Sequence, residues 1–88
     1  MTNETKLKRS FGAAVRQFRH ERKLTQQQLA DTAGMLRTYL ADVERGQRNV
    51  ALANINRLTA ALDVPPSTFF KVMEKLAAAP ASSARSKR

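Results

Sequence analysis

The sequence predicts an all-α fold, a compact domain of five short helices that contains a helix-turn-helix. Three stretches carry apolar residues three and four positions apart, the spacing that places side chains on one face of a helix. Between the first and second of these stretches lie the start and stop signals of two consecutive short helices. The strict alternation of apolar and polar residues that marks a strand is absent from the sequence. Helices packed on helices are therefore expected.

The first helix is predicted to run from Ser10 to about Lys23. Serine is a common N-cap residue, and the stripe that follows it indicates a core-facing side. That stripe consists of Phe11, Ala14, Val15 and Phe18. Residues 1–9 precede the predicted cap and are interpreted as a basic N-terminal arm.

The second helix is predicted to begin after Thr25. Gln28 stands three residues beyond Thr25, which is the spacing of a capping box. Leu24 and Leu29 flank this start with the spacing of a hydrophobic staple. Gly34 can adopt the left-handed conformation that ends a helix, so we expect a tight turn there.

The third helix follows this turn and is the predicted recognition helix. Leu40 and Val43 are three residues apart and face the core. Leu36 occupies the place where a capping Ser, Thr or Asp would be usual, so this helix lacks a side-chain cap. The residues that point outward carry a cation, a hydroxyl, a methyl and a carboxylate, which suit the edges of bases: Arg37, Thr38, Ala41 and Asp42.

The fourth helix is predicted from about Ala51 to Leu62. Val50 and Ala51 offer no side-chain cap at its start, and Asp63 stands where a left-handed residue ends it. Its expected apolar stripe is Leu52, Ile55, Leu58 and Leu62.

The last helix is predicted to start at the pair Pro65 and Pro66 and to continue to about residue 79, where Pro80 stops it. Its apolar stripe is Phe69, Val72, Met73 and Leu76, with Phe70 beside it. The predicted helix-turn-helix domain therefore covers residues 10–79, with the helix-turn-helix at about 25–45. Residues 80–88 lack apolar content and are expected to form a flexible basic tail.

The charge balance indicates a partner of opposite sign. The chain has 16 Lys and Arg residues against 7 Asp and Glu residues, a net charge of +9, and an isoelectric point near 11.2. Such a charge is typical of proteins that bind polyanions. Net charge alone could also serve solubility, so the position of the cations has to carry the functional argument.

Several classes of protein are disfavoured. The chain has no Cys, which suits the cytoplasm, and no apolar run longer than four residues, which gives no membrane span or signal-peptide core. The single histidine, His20, is interpreted as a surface residue. We find no metal-ligand spacing, no phosphate-binding glycine loop and no activated nucleophile. The expectation is a binding protein, not an enzyme, without a metal or cofactor.

At this point the span from about residue 11 to 70 resembles the helix-turn-helix domain of the lambda repressor and Cro family, also called the Xre family. The resemblance rests on Arg19, Leu24-Thr25-Gln26, Leu29-Ala30, Ala33-Gly34, Leu40, Val43-Glu44-Arg45-Gly46, Leu58 and Leu62-Asp63-Val64. Arg37-Thr38-Tyr39 and the run from Glu44 to Asn49 look most like controller proteins of restriction–modification systems. These are small homodimeric transcription regulators.

The resemblance implies which residues contact double-stranded DNA. Arg37 and Thr38 would reach base edges, and Ala41 would approach a thymine methyl group. Asp42 would accept a hydrogen bond from cytosine, or would instead pair with Arg45 or bond Thr38. The expected phosphate contacts are Gln26, Tyr39, Arg45, Gln47, Arg48 and Asn49. For Tyr39, contact with a thymine methyl group and packing between helices are alternatives.

Two further roles concern the scaffold. Arg19 and Glu44 are expected to form an internal ion pair, although they could be separate surface charges. A single recognition helix contacts few base pairs. A two-fold dimer would present two recognition helices, one DNA turn apart, to a nearly palindromic site. The expected dimer interface is the apolar side of the last helix, Phe69, Phe70, Val72, Met73 and Leu76, of which one or two must belong to the core.

Two other functions remain open on the sequence. The first is an antitoxin, or another helix-turn-helix module whose main partner is a protein. The second is a non-specific nucleic-acid binder, RNA included, driven by the charge of +9. The aromatic residues, Tyr39 and four Phe on or near core stripes, argue against a base-stacking platform.

Overall fold

The computed structural model describes residues 3–78 and consists of five α-helices joined by short turns and loops. They are α1 (Asn3–Glu21), α2 (Gln26–Ala33), α3 (Arg37–Glu44), α4 (Leu52–Ala61) and α5 (Pro66–Ala78). The prediction of five helices with a helix-turn-helix is confirmed. The predicted basic tail, residues 80–88, lies outside the described residues.

Within residues 3–78, α1 packs along α5 and against α3, while α2 packs against α3 and α4. None of the helices in this range has the length and the apolar character needed to cross a membrane. The helix-turn-helix formed by α2 and α3 is thus held between α1 on one side and α4 on the other.

The core forms where the predicted apolar stripes meet. Phe69 of α5 is completely buried, and its ring centroid lies 5.0 Å from that of Phe11 and 5.7 Å from that of Phe18. Leu58 and Leu62 of α4 are also buried, as predicted. Burying an aliphatic or aromatic side chain of this size contributes roughly 1.5–3 kcal/mol. The remaining buried apolar residues are Ala14, Val15, Leu29, Ala30, Ala33, Leu40, Val43 and Val64.

One member of the predicted α4 stripe is misplaced. Leu52 is 81% exposed, although its spacing to Ile55 put it on the core side. It is the first residue of α4 and has no preceding turn of helix to hold it against the core. The prediction that Leu52 is a core residue is therefore wrong, while Ile55 packs partly buried against the core.

The start of α1 is also different from the prediction. The helix begins at Asn3, so residues 3–9 of the predicted N-terminal arm are helical and belong to α1. Ser10 is buried in the helix interior, where its hydroxyl donates to the carbonyl of Leu7 over 3.1 Å, and it is not an N-cap. The extra turns are stabilised by contacts from other parts of the chain, including a 3.2 Å hydrogen bond from the Asn49 amide to Glu4. Such long-range support cannot be read from local helix signals.

The turns follow the predicted chemistry. Thr25 and Gln28 form both hydrogen bonds of the capping box, and Gly34 ends α2 in the left-handed region at φ 72°. Neither Leu36 before α3 nor Ala51 before α4 makes a side-chain cap, as expected. Asp63 adopts φ 56°, which confirms its role as a left-handed helix end.

Candidate nucleic-acid interface

A buried ion pair ties α3 to α1. Arg19 Nε donates to Glu44 Oε2 over 2.7 Å, and Arg19 Nη2 donates to Glu44 Oε1 over 3.0 Å. The side chains are 11% and 2% exposed, respectively. Arg19 Nη1 also donates to the carbonyl of Leu24 over 2.9 Å. The predicted internal pair is therefore present, and it fixes the end of α3 against α1 and the chain leading into α2.

The approach of α1 to α3 is unusually close and depends on a glycine. A Cβ atom on Gly12 would lie 2.3 Å from the carbonyl oxygen of Val43 and 2.7 Å from that of Glu44. Only a residue without a side chain permits this separation. Sequence reasoning did not identify Gly12, because an isolated glycine in a helical stretch carries no signal about the partner helix.

Gln26 connects the buried pair to the outer face of α3. Its amide nitrogen donates to Glu44 Oε1 over 3.0 Å, and its amide oxygen accepts from Arg37 Nη1 over 3.1 Å. The sequence predicted only a phosphate contact for Gln26. The structure gives it a bridging position between Glu44, which is buried, and Arg37, which is exposed.

The outward residues of α3 line a shallow groove, which we call the α3 groove. It has a volume of about 380 Å³, and Arg37, Thr38, Ala41 and Asp42 form one side of it. Arg16 of α1 stands at its edge and donates through Nη1 to the carbonyl of Glu44. The structure thus brings the four predicted base-reading residues together and adds Arg16, which sequence reasoning missed.

Asp42 is engaged by two arginines of the following loop. Its carboxylate accepts from Arg45 Nη2, and Arg48 Nε lies 3.5 Å from its other oxygen. This is one of the alternatives left open for Asp42. The side chains of Arg45 and Arg48 are 57% and 52% exposed, so both cations lie at the surface.

Tyr39 lies between α3 and α4. Its ring is half-buried against the core, and its hydroxyl oxygen accepts from Asn54 Nδ2 over 3.2 Å. The guanidinium carbon of Arg48 lies 5.2 Å from the centre of the ring, a cation–π distance. Packing between helices, the alternative left open for Tyr39, is what the structure shows.

The loop after α3 has a defined conformation. Gly46 adopts φ 75°, and the nitrogen of Gln47 donates to the carbonyl of Asp42 over 2.9 Å. Asn49 is bonded to Glu4 of α1, as described above. Gln47, Arg48 and Asn49, which were predicted to hold phosphate, are all exposed at this edge.

The predicted dimer face of α5 needs one correction. Phe69 is completely buried in the core, so it is not available to a partner, and the prediction for this residue is wrong. Phe70 is 40% exposed, and its ring meets Phe69 edge to face. Leu7 of the extended α1 is 55% exposed and lines the same surface depression as Phe70 and Met73. Val72 and Leu76 are half-buried beside the core.

Comparison with known proteins agrees with this geometry. A family model described as a helix-turn-helix domain matches residues 10–69, most of the chain. The chain belongs to this helix-turn-helix family. Residues 10–69 of this helix-turn-helix protein include the ion pair, the α3 groove and the loop that follows it.

The resemblance to controller proteins is also confirmed. This helix-turn-helix protein is 45% identical over 67 residues to the control protein C.BamHI of Bacillus amyloliquefaciens, covering 75% of this chain and 80% of the relative. It is 34% identical over 74 residues to the control protein C.MunI of a Mycoplasma species, covering 83% of this chain and 97% of the relative.

Solved structures give the same result. The restriction-modification controller protein C.AhdI from Aeromonas hydrophila matches with a TM-score of 0.70 and 44% identity, covering 72% of this chain and 96% of that one. The tetramer of the controller protein C.Esp1396I in complex with its natural 35-base-pair operator matches with a TM-score of 0.76 and 27% identity, covering 81% and 93%. The all-α helix-turn-helix fold of this family is therefore shared.

Proposed function

We propose that this helix-turn-helix protein is a sequence-specific transcription regulator that binds double-stranded DNA as a homodimer, in the manner of controller proteins. The observation that carries the proposal is the α3 groove. Its polar and methyl groups point outward from a helix whose opposite face is fixed in the core by Leu40 and Val43. A recognition helix that is fixed in place before binding loses little conformational freedom when it enters the major groove.

Base reading is assigned to Arg37, Thr38 and Ala41. Gln26 holds only one N–H group of Arg37, so the remaining guanidinium donors can reach O6 and N7 of a guanine. The Thr38 hydroxyl is exposed and can donate or accept, and the Ala41 methyl group can contact a thymine methyl group. Asp42 is already paired with Arg45 and Arg48, so we assign it to positioning these two cations.

Phosphate binding is assigned to the rim of the groove. Gln26 occupies the first position of α2, where the helix dipole favours an anion, and we assign its second amide hydrogen to a phosphate. The other phosphate contacts are assigned to Arg45, which lines the groove, and to Gln47, Arg48 and Asn49 of the exposed loop that follows. Tyr39 supports Arg48 through its ring. The protein would act in the cytoplasm of a prokaryote, in association with the nucleoid, and its role would be regulatory and not enzymatic.

Dimerisation is assigned to the exposed apolar side of α5. Phe70, Met73 and Leu7 form a depression of about 410 Å³ that one protomer leaves open to solvent. Val72 and Leu76 continue this side toward the core. Two copies related by a two-fold axis would cover these side chains and would present two recognition helices one DNA turn, about 34 Å, apart.

The proposal is tested by selecting bound duplexes from a pool with a randomised central segment. We expect enrichment of an inverted repeat whose half-sites are centred about 10 base pairs apart, together with a dimeric mass in solution. Binding of the unselected pool as tightly as of any selected sequence would instead indicate a non-specific nucleic-acid binder. A chain that retains no duplex at all would indicate a protein-binding module.

A further inference from the structure

A row of cations lies along one face of α1. Lys6, Arg9, Ala13 and Arg16 are spaced by three, four and three residues, so they share one face of the helix. Lys6, Arg9 and Arg16 are exposed. We call Lys6, Arg9 and Arg16 the α1 basic face. It exists only because residues 3–9 continue the helix.

The α1 basic face borders a further surface depression, which is neither the α3 groove nor the depression beside Phe70. We call it the second depression. The depression has a volume of about 450 Å³ and lies between α1, the end of α3 and the end of α5. Lys6, Arg9 and Arg16 line it on one side, and Arg45 lines it at the end of α3. Four cationic side chains therefore meet around one concave surface.

Two acidic groups of the described residues lie near this surface, Glu44 and Glu4, and both are engaged by other side chains. The Glu44 carboxylate is 2% exposed and is bonded to Arg19 and Gln26. Glu4 lies on a different side of α1, where its carboxylate is 3.8 Å from Lys8 and accepts from Asn49. Lys6 and Arg16 therefore keep a positive field that favours an extended anion.

The second depression adjoins the α3 groove. Arg16, Glu44 and Arg45 line both of them, so cationic side chains lie beside one another from the base-reading residues to Lys6. The two depressions adjoin at the same edge of the α3 groove as the phosphate-binding loop. Gly46 of that loop is in contact with Arg9, since a Cβ atom there would lie 3.0 Å from the Cα atom of Arg9.

We propose that the α1 basic face binds the DNA backbone beyond the base pairs read by α3, with Lys6, Arg9 and Arg16 each holding a phosphate. The inference rests on the proposed function and extends its footprint along the duplex. Because these residues lie on a helix and not on a flexible arm, they lose less conformational freedom on binding than a disordered arm would.

The test measures the dependence of affinity on salt for a random-sequence duplex of about 30 base pairs, which needs no knowledge of the operator. Each phosphate contact contributes about 0.9 to the slope of log affinity against log salt concentration. The double variant Lys6→Gln, Arg9→Gln should therefore have a slope shallower by about 1.8 per protomer. Lys6→Gln alone should give half of this change, and it leaves the packing of Arg9 on Gly46 intact.

The matched control is Lys75→Gln. Lys75 is exposed on α5 and lines neither depression, so removing its charge should leave the slope at the parent value. If Lys6→Gln and the double variant keep the parent slope, the α1 basic face does not touch DNA, and the proposed function still stands. If the parent protein itself shows no salt-dependent binding to duplex DNA, both the proposed function and this inference fail.

Discussion

Arg37 Nη1 lies 3.1 Å from Gln26 Oε1, and the amide nitrogen of Gln26 is in turn bonded to the buried Glu44. An exposed arginine on α3 is thereby connected, through one side chain of α2, to the ion pair that fixes α3 to α1. The guanidinium of Arg37 is oriented by the scaffold before any ligand arrives. Arg19 and Glu44 hold the fold, while Arg37 is positioned by them through Gln26 and remains exposed to a ligand.

Loss of the buried pair should destabilise the fold. Arg19→Ala or Glu44→Ala would leave the other charge buried without its partner, at a cost of about 3–5 kcal/mol. Chemical denaturation measures this as a lower free energy of unfolding. The control is Arg22→Ala, directly after the end of α1, whose pair with Glu21 is at the surface with a distance of 3.7 Å. That variant should lose at most about 1 kcal/mol, and equal losses for Arg19→Ala and Arg22→Ala would contradict a special role for the buried pair.

Gly12→Ala should destabilise the protein even though it improves local helix propensity. Alanine in a helix interior is favoured over glycine by about 0.5–1 kcal/mol. Here the added Cβ would be 2.3 Å from the Val43 carbonyl oxygen, so α1 and α3 must move apart. We expect a net loss of about 3 kcal/mol, at the upper end of overpacking costs. A variant that melts at or above the parent temperature would show that the two helices are not in close contact.

Arg37→Ala should act on recognition and leave stability nearly unchanged. The side chain is exposed and bonds only to Gln26 among the contacts described above. Removing it should cost about 1–3 kcal/mol per half-site on the selected operator, and much less on random duplex. Titration of both duplexes at one salt concentration measures the difference. An equal loss on both would make Arg37 a phosphate contact and leave base reading to the other residues of the α3 groove.

Arg48→Ala should weaken binding to operator and random duplex alike. Its side chain is half exposed beside Asp42 and above the ring of Tyr39, in the loop that we assign to phosphate binding. If a dimer neutralises about 8 phosphates, the parent slope of log affinity against log salt is near −7, and the variant should be shallower by about 0.9 per protomer. Arg48→Lys keeps the charge and should retain most of the slope. A parent-like slope for Arg48→Ala would remove the residue from the clamp.

Phe70→Glu should separate the proposed dimer without unfolding the protomer. Phe70 is 40% exposed, so a carboxylate there remains hydrated in the monomer but would be desolvated in the interface. Analytical ultracentrifugation should show a monomer where the parent is a dimer. Glu74 lines the same depression, and Glu74→Gln is a mild change there that should leave the dimer intact. A dimeric Phe70→Glu variant would place the interface elsewhere.

The sequence by itself determined that the chain forms five helices, and it predicted the turn residues between several of them. Apart from Leu52, apolar spacing identified the side of each helix that reaches the core, because a 3.6-residue period constrains every buried stripe in the same way. Thr25, Gln28, Gly34 and Asp63 were predicted correctly because caps and left-handed helix ends depend on residues close in the chain. The residue pattern of the second and third helices also indicated the family correctly.

The tertiary structure decided what depends on residues far apart in the chain. The start of α1 at Asn3, the closeness of Gly12 to α3 and the bridge from Glu44 through Gln26 to Arg37 all require contacts between different helices. Local propensity contains no information about such contacts, because the energy that fixes them arises only once the helices have packed. The same reason explains why Phe69 and Phe70 look alike in the sequence, yet one is buried at the centre of the core and the other is left at the surface.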